Sequence, residues 1–86
     1  MQYVTISSSK LIRNSAALWK GHHLYASSGD SVVEMYDGID DTGIKVCTIK
    51  IKNNEHDDHF FSGVAFNRGV YAKVVSGTVS GSIFVE

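Results

Sequence analysis

From Val70 to Glu86 the chain trades apolar and polar side chains with a period of two. Val70, Ala72 and Val74 alternate with Tyr71, Lys73 and Val75; beyond Ser76-Gly77, Val79, Gly81, Ile83 and Val85 alternate with Ser80, Ser82, Phe84 and Glu86. Successive side chains of a strand point to opposite faces, so this is the pattern of strands with one buried side. Asn67-Arg68-Gly69 supplies a short connection, with a glycine available for positive φ. Three antiparallel strands are predicted over about 60–66, 70–76 and 79–85.

The middle of the chain reads the same way. In SVVEMYDG, Val33 and Met35 share one face, Glu34 and Tyr36 the other. DGIDDTG then breaks the chain. In IKVCTIKIK, Ile44, Val46 and Thr48 alternate with Lys45, Cys47 and Ile49, and Lys45, Lys50 and Lys52 mark an exposed side or an edge. ALWKGHHLYASSGD predicts a strand ending at Ser27-Ser28-Gly29-Asp30. There Leu18, Leu24 and Ala26 share one parity, Trp19, His23 and Tyr25 the other. QYVTI predicts a strand at the start. SSSKLIRNSAA has no sustained 3.6-residue repeat and reads as a strand continuation or a loop. No segment predicts a strong helix.

Six to eight short strands with turn signals between them predict an all-β fold, a small antiparallel sandwich of jelly-roll or immunoglobulin-like type. The chain has 86 residues, so residues 1–86 are expected to form one domain with a thin core. Residues 1–17 are the candidate for an N-terminal arm that orders only on assembly. The net charge of -1 offers no general field for a phosphate backbone, so nucleic acid is not expected as a partner. The start lacks the pattern of a signal peptide, and no apolar run approaches membrane-spanning length, so no membrane partner is expected. Cys47 is the one cysteine, which excludes an intrachain disulfide and suits a reducing cytoplasm.

The densest run of chemistry-bearing side chains is NNEHDDHFF, where Glu55, His56, Asp57, Asp58 and His59 are consecutive; His22 and His23 lie upstream. A zinc site needs three or four converging ligands, and on a strand the spacing of His56 and His59 sends them to opposite faces. The run is therefore predicted to be a solvated loop between two strands. YDGIDDTG lacks the acid spacing of an EF-hand and is predicted to be a turn. Cys47, inside a strand, reads as a structural thiol. No nucleophile elbow or phosphate-binding glycine loop is present. The sequence thus predicts no catalytic residue, no metal and no cofactor. Trp19, Tyr25, Tyr71 and Phe84 fall opposite the predicted core positions and are the candidate partner contacts.

Three stretches carry a family likeness: Val33-Glu34-Met35-Tyr36-Asp37-Gly38, Gly63-Val64-Ala65-Phe66-Asn67-Arg68-Gly69-Val70-Tyr71, and Val74-Val75-Ser76-Gly77. Over roughly residues 18–85 the chain resembles small β-sandwich virion proteins of tailed bacteriophages. The resemblance implies a non-enzymatic structural role, as a capsid decoration or cement subunit or a head–tail accessory. It implies the major capsid or head–tail proteins as partners, self-association into a homo-oligomer, synthesis in the bacterial host cytoplasm and residence in the virion. It supplies no catalytic residues, and it assigns no role to the EHDDH run or to His22-His23. Two other readings follow from the residues. One is a carbohydrate-binding module with Trp19 and Tyr25 as a stacking platform. The other is a metal-binding domain or metal-dependent enzyme built on His22, His23, His56 and His59.

Overall fold

The structure, a computed structural model, describes residues 1–86. It is all-β, with strands β1 (Gln2–Ile6), β2 (Lys10–Arg13), β3 (Ala17–Asp37), β4 (Ile44–Ile51), β5 (His56–Phe66) and β6 (Val70–Val85). All pairings are antiparallel. No helix is long and apolar enough to cross a membrane.

Two long strands organise everything else. β3 has 21 residues and β6 has 16, and they pair with each other along most of their lengths. Both bend midway, so one sheet folds over on itself as a small sandwich. One half carries the order β1–β6–β3–β5, the other β2–β6–β3–β4. The predicted strands 70–76 and 79–85 are therefore halves of one strand and do not form a hairpin. The same holds for the segments either side of Ser27–Asp30. The bend sits where the register slips, between Ser28↔Thr78 and Val32↔Ser76, with β3 contributing the extra residues. Gly29 (φ 84°) and Gly77 (φ 76°) hold the left-handed conformations there. A side chain at Gly77 would run into Ser31. The corner is thus a pair of bulged glycines within continuous strands, a known way of turning a sheet.

Residues 1–17 are not a free arm. β1 pairs with the second half of β6, from Gln2↔Val85 to Ile6↔Gly81, and β2 pairs with its first half. Ile6 and Ile12 are buried in the common core. The Ser9 hydroxyl accepts the Val74 N–H at 2.9 Å as the chain crosses between the halves. QYVTI forms the strand predicted for it, and Lys10–Arg13, in the stretch read as a strand continuation or a loop, is a strand.

The core draws on both halves: Trp19, Leu24 and Ala26 meet Val33, Met35, Ile49 and Ile51, with Phe66, Val70, Ala72, Val79, Ile83 and Val85 closing it. Burial at 24/26, 33/35 and 79/83/85 follows the predicted alternation. At one end Asp37 ties two turns together. Its carboxylate accepts the N–H groups of Asn67 and Arg68, and the Gly38 N–H donates to Gly69 O at 3.1 Å. The turn predicted for YDGIDDTG is present, with Thr42 hydrogen-bonded to Asp40.

Candidate functional site

The polar run 55–59 is not a loop. Only Asn53–Glu55 turn, with Asn54 at φ 64° and its N–H donating to Ala26 O at 2.8 Å. From His56 onward the chain is β5, paired to β3 in the register Tyr25↔His56, Leu24↔Asp57, His23↔Asp58 and His22↔His59. Ladder hydrogen bonds are made by the backbone, so the exposed edge of β3 recruits these residues whatever their side chains. Charges on an edge strand also block further pairing.

Once the run is a strand, its alternation sorts the side chains. Asp57 and His59 fall on one side with His22, while His56 and Asp58 fall on the other with His23. Two His/Asp triplets result, each with its candidate ligand atoms within 4.8 Å of one another. The sequence shows this arrangement only in hindsight. Its signal is an adjacent His-His pair facing a four-residue H-D-D-H run on the neighbouring strand.

The inner triplet is centred on Asp57. His22 Nε2 lies 2.6 Å from Asp57 Oδ2, and His59 Nε2 lies 3.3 Å from Oδ1. The His22 ring is held by its neighbours: Trp19 stacks on it at 5.6 Å between centroids, and Phe61 and His59 meet it edge-on. Trp19 is itself fixed by donating its indole N–H to Gly21 O at 2.9 Å. Burial, outweighing the opposing pull of Asp57, holds the His22 imidazole below the ordinary histidine pKa. Facing a carboxylate, which can only accept, the ring donates from Nε2. Its other nitrogen, Nδ1, is buried with no hydrogen-bond partner. These groups line a cleft of about 510 Å³ on the side of the sandwich where β4 and β5 are the edges; Cys47, Thr48, Ile49 and Lys50 of β4 form its opposite wall. Burial raises the Cys47 thiol above its usual pKa, as expected of a structural cysteine.

The outer triplet is exposed. His23 Nδ1 lies 2.5 Å from Asp58 Oδ1, the His23 and His56 rings stack at 5.4 Å, and Tyr25 leans on His56 at 4.7 Å.

The four predicted contact residues separate. Trp19 is core, 3% exposed. The expected parity fails there because β3 carries a bulge at Lys20–Gly21, where two of its residues oppose a single step of β6. The bulge reverses the alternation between Leu18-Trp19 and His22–Ala26, leaving Leu18 outside. Trp19 and Tyr25 therefore lie on opposite faces, and the stacking platform of the carbohydrate reading is not formed. Tyr25 and Tyr71 are half-buried on outer faces. Phe84 is on the outer face as predicted yet only 7% exposed, because Tyr3 meets it edge-on at 5.0 Å and Phe60 stacks on it at 5.1 Å. Tyr3 and Phe60, 65% and 71% exposed, are the aromatics that sequence reasoning missed. Neither position reveals which residue it will oppose across the sheet.

These aromatics share one cross-strand row: Tyr3↔Phe84, Phe84↔Gly21, Gly21↔Phe60. Gly21 contributes no side chain, so Phe84 and Phe60 close over its backbone, as aromatics do over glycines in sheets. A scan against protein families, and searches of curated proteins and of solved structures, find no match to the chain. The likeness to phage virion proteins accordingly rests on the strand and turn motifs quoted above.

Proposed function

We propose that this chain is a non-enzymatic assembly subunit of a tailed-phage particle, docking on capsid or head–tail proteins and clipping neighbours together. The observation that carries the reading is the aromatic row. It runs from β1 to β5, three strand spacings or roughly 14 Å across one outer face. Both of its ends present a largely exposed ring. Buried aromatic anchors dominate the energetics of protein interfaces. The rings are held in place by each other and by the sheet, so little side-chain freedom is lost on docking. The quoted motifs support the same reading, since they resemble those of virion sandwiches. Many copies on a repeating lattice give a strong collective hold from weak single contacts.

The experiment is co-sedimentation of the purified chain with particles lacking it. Binding at a fixed copy ratio is expected, and the Tyr3→Ser/Phe60→Ser double variant should lose it while still folding, its thermal midpoint lowered only by the two lost contacts to Phe84. A double variant that binds at the original ratio would remove the aromatic row from the interface. A chain that ignores particles altogether would end the assembly reading.

A further inference from the structure

Imidazole and carboxylate are the ligand types that divalent first-row metals take up when thiolates are absent. The inner triplet brings two imidazoles and one carboxylate together from adjacent strands, with ligand atoms within 4.8 Å. A tetrahedral zinc ion with bonds of about 2.0–2.2 Å sets its ligand atoms roughly 3.4 Å apart. The His59–Asp57 separation of 3.3 Å already matches, and the His22–Asp57 separation of 2.6 Å needs to open by less than about an ångström. The two strands pair without a break across the triplet, from Gly21↔Phe60 to Tyr25↔His56, and the His22 ring is braced by Trp19 and Phe61. A site on paired strands with a fixed ring is preorganised.

A second observation is independent of the distances. Asp57 has His22 and His59 as its partners, and no lysine or arginine pairs with it, so no protein cation already occupies the place an ion would take.

We propose that His22, Asp57 and His59 bind one divalent first-row transition-metal ion of the zinc class, with a fourth coordination position open to the cleft. Bound there, the ion would cross-link β3 to β5 at the cleft. Lys50 on the opposite wall opposes a cation, but its long stem lets the ammonium remain in water. The proposal does not depend on the docking role.

The test uses the whole chain, stripped with chelator and dialysed. Zinc is titrated by calorimetry, and bound metal is counted by mass spectrometry after equilibrium dialysis. One equivalent is expected in the inner cleft, with a rise in thermal midpoint at saturating zinc. Asp57→Asn and His59→Ala should each weaken binding at least about tenfold. The His23→Ala/His56→Ala variant should bind as the original does. Asp57 and His59 are the positions to vary, because the His22 side chain is only 3% exposed and its loss could unfold the chain. No zinc bound by the unaltered chain would overturn the proposal, leaving the triplet as a hydrogen-bonded His–Asp–His network. Zinc kept by His59→Ala but lost with His23 and His56 would overturn it as well, placing the ion on the outer face.

Discussion

The Asp37 carboxylate accepts the backbone N–H of Arg68 at 2.8 Å, and that of Asn67 at 3.0 Å, from a turn 30 residues further along the chain. These bonds stabilise the ionised form and hold the carboxyl below the usual aspartate range. The aspartate of YDG and the turn of FNRG are therefore one structural unit. Removing the carboxylate strands two turn N–H groups, and Asp37→Ala should cost about 1–3 kcal/mol in denaturant unfolding. The sign of the pH dependence follows from the lowered pKa. The contribution is present above the ordinary value of 3.8 and is lost as pH falls through the folded value. Asp37→Ala should flatten stability against pH over that acidic window. An unchanged profile would place the acid sensitivity elsewhere.

Gly21 and Gly29 both hold positive φ, at 146° and 84°, yet they differ in what surrounds them. A Cβ on Gly21 would fall on the carbonyl oxygen of His59, whereas a Cβ on Gly29 would meet nothing within 4 Å. Gly29→Ala should therefore cost only the left-handed backbone term, about 1–2 kcal/mol. Gly21→Ala should cost clearly more, because β3 and β5 must separate. It should also loosen the Phe60–Phe84 stack, visible as a change in near-ultraviolet dichroism. Equal losses for the two variants would show that β5 yields at no expense.

Cys47 tests the packing of the cleft wall. Its side chain is partly covered and burial raises its pKa. At pH 8 the thiol should react with a disulfide reagent well below the rate of an unfolded control, and denaturant should restore the full rate. A native rate matching the unfolded one would mean that β4 opens readily from the sandwich.

The all-β class and most of the core were legible in the sequence because period-two burial is written in residue types. Val33, Met35, Val79, Ile83 and Val85 are buried as the alternation predicts. What the alternation misses is any point where register slips. The bulge at Lys20–Gly21 turns Trp19 inward and Leu18 outward, and no local signal distinguishes it from a turn. The glycines at 29 and 77 read as hairpin stops but act as bends in continuous strands. The EHDDH run reads as a loop because strand propensity is a side-chain statement, while pairing to the β3 edge is a backbone one. Its two triplets then follow from strand geometry alone, once His22 and His23 are known to lie opposite.

The N-terminal segment gives the sharpest contrast between sequence and structure. As an arm, residues 1–17 could be removed without harm to the sandwich. In the fold, Ile6 is 1% exposed and β1 covers the edge of β6 from Val85 to Gly81. Ile6→Ala should cost about 2–5 kcal/mol, the range for a buried isoleucine truncated to alanine. Deleting residues 1–7 removes that contact and also uncovers the β6 edge, a template for pairing with other chains. The truncated chain should melt earlier and scatter light on standing, in thermal scans followed by static scattering. A truncation that melts at the original midpoint and stays monomeric would restore the arm.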